Sequence, residues 1–264
     1  NFGKVTTDFD DINDYAFDMA IQSDGKIIQV GYTENGIYKD DIAIMRFNKD
    51  GSPDSEFGDN GKILTDILYS NSTPTWNWGQ SVYIQSDGKI IVAGVTDNGL
   101  ENALYDNFAV IRYNTNGSLD KDFGSEGKVI TGFGSSTFNC DRAYSLDLQN
   151  DKKILVTGLS DGECGIVRYN SDGTVDDSFG SEGKLHIGNF GAGNRIIVQA
   201  DGKILVLCEN ALIRLKGTLN TSSNFHLNSN LQEGIKVYPT FTCGIVNIEI
   251  PKHRVAEDFD ISVY

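Results

Sequence analysis

Short apolar runs separated by turn-forming residues are the main pattern over the first 217 residues of the chain. The runs are rich in Val, Ile, Phe and Tyr, and Gly, Asn, Asp and Ser lie between them. This composition is typical of β-strands joined by tight turns, and no segment has the 3.6-residue apolar period of a helix. In the second quarter of the chain the pattern predicts four strands, at residues 80–85, 89–96, 108–113 and 128–133.

The same pattern recurs four times along the chain. A lysine follows a polar turn in each copy, at Lys26, Lys89, Lys153 and Lys203. An arginine that begins an Arg-aromatic-Asn triplet stands at Arg46, Arg112 and Arg168, with a degenerate copy at Arg214. A Phe-Gly pair begins at Phe57, Phe123 and Phe179. Four strands in roughly 50 to 65 residues suit one blade of a β-propeller, so the sequence predicts an all-β fold of four four-stranded blades over residues 1–217.

The two ends of this repeat region each carry an incomplete copy. Residues 3–9 resemble the fourth strand of a copy, whereas the last copy stops after its third strand, at residues 211–215. We therefore expect the N-terminal strand to pair with residues 211–215 and close the ring, because closure removes exposed strand edges. The alternative is that the first residues are the remainder of an earlier blade.

One copy carries a resemblance to a known repeat. The segments QSDGKIIVAG (85–94) and DNFAVIRYNTNGSLDKDFGSEGKVITGF (106–133) resemble the delta-60 repeat of bacterial secreted and surface proteins. The resemblance recurs in each copy and implies a tandem β-propeller in an extracellular location. It implies no particular reaction.

The composition changes after the repeats. Residues 218–232 are rich in Ser, Asn and Thr and are predicted to be a linker, and strand-like alternation returns over residues 233–264. This last segment resembles the start of the type A C-terminal sorting domain of Bacteroidetes type IX secretion. The residues that carry the resemblance are Val237, Tyr238, Pro239, Gly244, Val246 and Ile248. Thr240 and Phe241 stand where that family usually has Asn-Pro, and Cys243 stands where Ser or Thr is common.

The second resemblance implies passage through the periplasm and outer membrane to the cell surface or the medium. A type IX translocon or outer-membrane shuttle protein would be the partner of the tail. We expect the tail to form a small β unit separate from the blades. The alternatives are an accessory β unit without a sorting role, or the start of an ordinary β-sandwich domain.

Charge and cysteines narrow the possible functions. The net charge of −15 argues against nucleic acid, which requires clusters of Lys and Arg. The four cysteines include no CxxC pair that would indicate a zinc or redox site. Because an oxidising export route permits disulfides, a bond between Cys140 and Cys164 is a hypothesis.

The polar residues of the repeats are better explained by turn stabilisation and packing than by catalysis or metal binding. Turns such as Asn48–Asp54 place oxygens around a glycine, as calcium loops do, but they lack the glutamate that completes an EF-hand, and Asn and Asp stabilise turns by themselves. An arginine at the same position of every copy indicates shared packing or hydrogen bonding. The three histidines are scattered. We therefore predict no catalytic residue, metal or cofactor, although abundant carboxylates leave a glycosidase pair open.

The loops on one face of the predicted ring differ between copies and carry aromatic residues. The candidate ligand-binding residues are Tyr38, Trp76, Trp78 and Tyr105. Binding residues often lie on such loops, so we predict a non-enzymatic secreted or cell-surface binding or adhesion module with a glycan or protein ligand. The alternatives are an enzyme acting on extracellular polysaccharide, a structural spacer, or an insert that buries its own tryptophans.

Overall fold

The computed structural model describes residues 3–9, 13–34, 39–67, 75–97, 106–134 and 140–215, and the strands at 246–248 and 261–263. The chain divides into two compact units, Asn1–Ala143 and Tyr144–Tyr264. All regular elements in these described ranges are β-strands. Within these ranges the structure contains no helix that could span a membrane.

The first unit contains two antiparallel sheets whose strands follow chain order. The first sheet consists of β1 (Asp14–Ile21), β2 (Ile27–Glu34), β3 (Asp40–Phe47) and β4 (Lys62–Thr65). The second sheet consists of β5 (Asn77–Ile84), β6 (Ile90–Asp97), β7 (Asp106–Tyr113) and β8 (Lys128–Thr131). The four strands predicted for the second copy are therefore confirmed, with small differences at their ends.

The second unit holds nearly all of the third sheet and the whole of the fourth. The third sheet consists of β9 (Arg142–Leu148), β10 (Ile154–Ser160), β11 (Glu163–Tyr169) and β12 (Lys184–Ile187). The fourth sheet consists of β13 (Gly193–Val198), β14 (Ile204–Cys208) and β15 (Leu212–Leu215), followed by β17 (Ile261–Val263) and β16 (Val246–Ile248). The all-β fold class is confirmed.

The middle strands of the second sheet are covered on both faces. In β6 every residue from Ile90 to Thr96 is buried, and the same holds for most of β7. Full burial explains why these strands appear in the sequence as continuous Val and Ile runs instead of alternating patterns. The apolar side chains form one core cluster in the first unit, including Ile28, Ile44 and Val92, and another in the second unit.

The turns between the first two strands of each copy follow the prediction. Gly25, Gly88 and Gly202 have φ angles of 85°, 83° and 80°, a region that favours glycine because it has no Cβ. The third copy has Lys152 at this position, with φ 68°. The turn is therefore retained even where the sequence lacks the glycine.

A buried ionic cluster accounts for the arginine at the repeated position. In the second copy, Arg112 Nε donates a hydrogen bond to Asp120 Oδ2 over 2.6 Å, and Lys89 Nζ donates to the same oxygen over 2.8 Å. The Arg112 guanidinium also lies over the buried Phe123 ring, 4.5 Å from its centre. Burial acts to raise the pKa of the Asp120 carboxyl, but the hydrogen bonds from Lys89 and Arg112 outweigh it and lower the pKa.

The ionic cluster occurs three times with nearly the same geometry. The other two copies consist of Lys26, Arg46, Asp54 and Phe57, and of Lys153, Arg168, Asp176 and Phe179. The prediction of a shared packing and hydrogen-bonding role is confirmed for these three arginines. In the fourth copy the lysine, Lys203, instead pairs with Asp201 of its own turn.

The turns between the third and fourth strands use their polar side chains internally. Asp50 Oδ1 accepts hydrogen bonds from Ser52 N over 2.9 Å and from Ser52 Oγ over 2.6 Å. Asn48 Nδ2 donates to Ser52 Oγ over 3.0 Å. The second and third copies repeat this arrangement with Asn116–Ser118 and Asp172–Thr174. Turn stabilisation therefore accounts for these residues.

The N-terminal segment does not close the fourth sheet, so the prediction of ring closure by residues 3–9 is wrong. These residues form no strand and lie against the first sheet. Lys62 Nζ donates to the Asp8 carbonyl and lies 5.2 Å from the centre of the Phe9 ring. The edge of β15 is paired instead with β17, through Ile213↔Val263. The pairing with β17 covers an edge of β15 that would otherwise be open.

The two described strands of the tail belong to the fourth sheet. β16 and β17 pair antiparallel with each other, and β17 continues the sheet beyond β15. The sequence-based expectation of a tail apart from the blades does not hold for these strands. The linker at 218–232 and most of 233–264 lie outside the described residues, so the domain boundaries stay a prediction. Among the export-signal residues, Val246 and Ile248 lie in β16, whereas Val237, Tyr238, Pro239 and Gly244 lie outside the described residues.

The hypothesis of a Cys140–Cys164 disulfide is wrong for this structure. Both residues are free thiols. Cys140 is half-buried and forms an isolated bridge with Asp106 of the first unit. Cys164 is fully buried in the core of the second unit, in the same cluster as Leu155 and Cys208.

Candidate binding site

Five aromatic rings of the first unit form a continuous aromatic stack. Its members are Tyr15 and Phe17 of β1, Tyr32 of β2, Trp76, and Trp78 of β5. The Trp76 and Trp78 rings are nearly parallel, with centres 6.4 Å apart, and Trp78 lies 5.3 Å from Tyr32. Tyr32 in turn lies 4.6 Å from Tyr15 and 5.8 Å from Phe17.

The exposed rings lie at the two ends of the aromatic stack. Trp76 is 40% exposed at one end, and Tyr15 and Phe17 are 43% and 48% exposed at the other. The inner rings, Tyr32 and Trp78, are half-buried. The aromatic stack therefore has a supported centre and solvent-accessible ends, which is the arrangement expected of an aromatic binding surface.

Polar contacts fix the central tryptophan. Trp78 Nε1 donates a hydrogen bond to Asp40 Oδ2 over 2.7 Å. The Arg142 guanidinium lies 5.8 Å from the centre of the Trp78 ring and contacts Asp106 through Nε. A tryptophan held by its N–H and by a cation over its face loses little further freedom when a ligand binds.

A buried polar network holds the backbone between the two tryptophans. Asn77 is fully buried; its Nδ2 donates to Asp66 Oδ1 over 3.2 Å, and its Oδ1 accepts from Thr96 Oγ1 over 2.8 Å. Thr75 Oγ1 also donates to Asp66 Oδ1, over 3.1 Å. Because Asn77 lies between Trp76 and Trp78 in the chain, this network sets the position of both rings.

Carboxylates and partial burial determine the electrostatic environment of the aromatic stack. Burial raises the pKa of the Asp40 carboxyl, the Trp78 N–H acts to lower it, and Glu34 and Asp41 raise it further. Burial, together with Tyr15, Asp40 and Glu34, raises the pKa of the Tyr32 hydroxyl. The carboxylates of Glu34, Asp40 and Asp41 that contribute to these shifts make the surface unfavourable for an anionic ligand.

One small cavity borders the aromatic stack, and a larger groove of the first unit lies away from it. A cavity of about 210 Å³ opens beside Tyr15 and Tyr32. Pockets that enclose drug-sized ligands are larger, roughly 300 to 1,000 Å³. A wider groove of about 1240 Å³ follows the N-terminal segment past Met19 and Phe47, but no ring of the aromatic stack lines it. The geometry therefore favours a ligand laid on the surface over one enclosed in a pocket.

The sequence predicted part of this site. Trp76 and Trp78, both predicted, lie together in the aromatic stack, whereas Tyr38 and Tyr105 lie outside the described residues. The alternative in which the insert buries its own tryptophans does not hold for Trp76, which is exposed. Sequence reasoning missed Tyr15, Phe17 and Tyr32.

A comparison between copies contains the signal for these missed rings. Tyr15 pairs with Tyr32 in the first sheet, at the place where Trp78 pairs with Val95 in the second. An aromatic at the same strand position of two adjacent copies predicts that the rings stand side by side. Asp40 and Arg142, which contact Trp78, had no comparable signal in the sequence.

The described residues lack the side-chain groups that a metal site requires. Among them, no group of three or more His, Cys, Asp and Glu side chains is placed to hold a metal ion. The aromatic stack itself can bind apolar surfaces and exchange hydrogen bonds at its edges.

The repeat matches a known family in three places. The family described as "Domain of unknown function (DUF5122) beta-propeller" matches residues 22–57, 85–123 and 149–179. Each matched segment starts at the turn before the second strand and ends at the buried phenylalanine of an ionic cluster. The fold is a β-propeller.

Solved structures resemble the propeller at low identity. A protein of unknown function from Bacteroides caccae has 15% identity and a TM-score of 0.47, covering 89% of this chain and 70% of that one. A catalytically inactive virginiamycin B lyase from Staphylococcus aureus, with quinupristin, has 14% identity and a TM-score of 0.49, covering 92% and 65%. PorZ, a surface component of the type IX secretion system of Porphyromonas gingivalis, has 10% identity and a TM-score of 0.42, covering 94% and 32%.

These likenesses are too distant to carry an argument about activity. The chain spans less than two thirds of the lyase and about a third of PorZ. No curated protein sequence matches the chain.

Proposed function

We propose that this propeller is the non-enzymatic binding module of a secreted or cell-surface protein, and that its ligand is a glycan held by the aromatic stack. The supporting observation is the row of five rings with exposed ends and fixed centre. A structural spacer has no need to keep Trp76, Tyr15 and Phe17 in water, since each exposed ring forgoes the stabilisation that burial gives.

A sugar ring fits such a surface because it has apolar C–H faces and polar edges. The exposed rings can cover the faces, and tyrosine and tryptophan supply large contact areas at low entropic cost. Asn13 and Glu34 lie at the same end of the first sheet, where Asn13 Nδ2 donates to Glu34 Oε2 over 2.9 Å. These two side chains are placed to exchange hydrogen bonds with hydroxyl groups at the edge of the ligand.

The test is a glycan array on the purified protein, followed by calorimetric titration of the best glycan. We expect Trp76→Ala and Phe17→Ala each to weaken binding by about tenfold or more, as aromatic hot spots do. Leu64→Ala is the matched control, because Leu64 is equally exposed at 46% and belongs to the same unit but not to the aromatic stack. Equal losses in all three variants would contradict the assignment. No binding at all would favour a spacer, and turnover of a labelled polysaccharide would favour an enzyme.

We also infer that the tail directs export through type IX secretion, with a translocon or shuttle protein as its partner. The support is the resemblance carried by Val237, Tyr238, Pro239, Gly244, Val246 and Ile248. The test compares the whole protein with a variant lacking residues from 233 onward, in a type IX-competent host. We expect the whole protein on the surface or in the medium and the variant in the periplasm. Export of both forms would refute this assignment.

A further inference from the structure

Two buried thiols lie together in the core of the second unit. Cys164 of β11 and Cys208 of β14 are almost completely buried, and both belong to the cluster that contains Leu155 and Phe179. One thiol therefore comes from the third blade and the other from the fourth. Neither residue belongs to the ionic clusters or to the aromatic stack.

A glycine leaves room for the side chains of both cysteines. Gly193 of β13 is directly opposite Cys208 in the antiparallel pair of β13 and β14. A Cβ placed on Gly193 would lie 2.8 Å from Cys164 Sγ. Side chains of directly opposed residues lie on the same face, with Cβ atoms about 5 Å apart. The Cys208 side chain and the Cys164 sulfur therefore share the space above Gly193.

The chemistry of the pair matches this geometry. The neighbouring Cys208 thiol lowers the pKa of the Cys164 thiol, and the neighbouring Cys164 thiol together with burial raises the pKa of Cys208. These opposite shifts are what two thiols in direct proximity produce in the folded core.

We propose that Cys164 and Cys208 form a disulfide that joins the third and fourth blades when the chain folds with an external disulfide as oxidant. The thiolate of one of the two cysteines attacks the oxidant disulfide, forms a mixed disulfide and releases one thiol. The thiolate of the other cysteine then displaces the second thiol, and the Cys164–Cys208 bond forms. The oxidant gains two electrons and the two protons lost by the cysteines.

Burial determines when this bond forms. In the folded core the oxidant has no access to either sulfur, so the reaction belongs to folding, before the core closes. The bond then closes a loop of about 45 residues, which restricts the unfolded chain and stabilises the folded one.

The test is refolding of the whole chain from denaturant in buffers of oxidised and reduced glutathione. Free thiols are then alkylated in denaturant, and the chain is digested and analysed by mass spectrometry without reduction. We expect one cross-linked species that contains Cys164 and Cys208, with Cys140 alkylated. The Tm of the oxidised protein should exceed that of the reduced protein by roughly 5 °C or more.

Two variants separate this bond from other effects of oxidation. In Cys208→Ala the Tm should no longer depend on oxidation, whereas Cys140→Ala, the control, should keep the full difference. Alkylation of both Cys164 and Cys208 after refolding at every glutathione ratio would overturn the proposal. A bond from either of them to Cys140 or Cys243 would overturn it as well. The result is independent of glycan binding and of export.

Discussion

The ionic cluster and the aromatic stack are both built from charged and aromatic side chains, yet they differ in burial, in copy number and in the number of blades that they join. The ionic cluster is buried, occurs in three copies and takes all its members from a single copy of the repeat each time. The aromatic stack occurs once, joins two adjacent blades and keeps its end rings in solvent. An arginine over a ring is present in both, at 4.5 Å in the second ionic cluster and at 5.8 Å over Trp78.

The comparison distinguishes residues that stabilise every blade from residues that are candidates for ligand binding. All members of the three ionic clusters fall inside the segments that match the propeller family, whereas Tyr32 is the one ring of the aromatic stack that does. A contact repeated in successive copies stabilises each blade in the same way. A contact built once, at an exposed edge, adds little to that stability and is therefore the better candidate for binding.

The largest effect should come from acid, because it acts on all three ionic clusters at once. Burial acts to raise the pKa of Asp54, Asp120 and Asp176, but hydrogen bonds from lysine and other donors outweigh it and lower each pKa. Carboxyls with a lowered folded pKa stabilise the protein fully above their unfolded pKa, about 3.9, and lose this contribution as the pH falls through the folded pKa. We expect urea midpoints that are flat from about pH 7 to 5 and fall steadily below about pH 4.

A comparison of variants assigns this acid effect to the ionic clusters. Asp120→Asn should flatten the acid part of the profile, whereas Trp76→Ala should leave its shape unchanged. A profile of identical shape in the wild type and Asp120→Asn would mean that other carboxyls control acid unfolding.

The next largest effect is expected from Asp120→Ala at neutral pH. This change leaves the Arg112 guanidinium buried without its carboxylate, which should lower the free energy of unfolding by about 3 to 5 kcal/mol. Urea denaturation measures the change. Asp122→Ala is the matched control, since Asp122 is an exposed carboxylate two residues away, and it should change stability by less than about 0.5 kcal/mol. Similar losses in both variants would contradict a special role for the buried pair.

Much of this fold was predictable from the sequence, for a reason visible in the ionic cluster. Each blade repeats its own contacts, so Arg112 and Phe123 appear at matching positions of every full copy and the strand order follows from the repeat. The turn at Asn48–Asp54 was predictable as well, because its side chains bond within the turn. Interactions that are local, or that recur in every copy of the repeat, can be recognised from a single sequence.

Two of the contacts that were missed join parts of the chain that no repeat relates. The pairing of β17 with β15 brings Val263 beside Ile213, and nothing in the intervening sequence indicates it. The same holds for Cys164 and Cys208, which belong to different strands of different blades. Trp76 and Trp78 were predicted because they are rare residues in one insert, whereas Tyr15 and Tyr32 lie inside ordinary strands.

Asn77→Ala should have an intermediate effect on stability and should also weaken ligand binding. It removes a buried side chain that bonds Asp66 and Thr96, and partners left without hydrogen bonds should cost about 1 to 3 kcal/mol. Because Asn77 positions both tryptophans, glycan affinity should fall although Asn77 does not lie on the exposed surface. Unfolding by urea and calorimetric titration measure the two quantities. Loss of stability with unchanged affinity would show that the network does not position the aromatic stack.

The smallest effect on stability should come from Trp76→Ala, the change with the largest expected effect on binding. Trp76 is 40% exposed and contacts one other ring of the aromatic stack, so its removal should lower the free energy of unfolding by less than about 1 kcal/mol. Trp78→Phe is the companion variant, because it keeps a ring in the centre but loses the hydrogen bond to Asp40, and it should cost about 1 kcal/mol. Urea denaturation and titration of the same glycan measure both variants. If Trp76→Ala destabilises the protein as much as Asp120→Ala does, the exposed ring is a structural element of the blade pair. If it weakens binding at nearly constant stability, the aromatic stack is a surface maintained for its ligand.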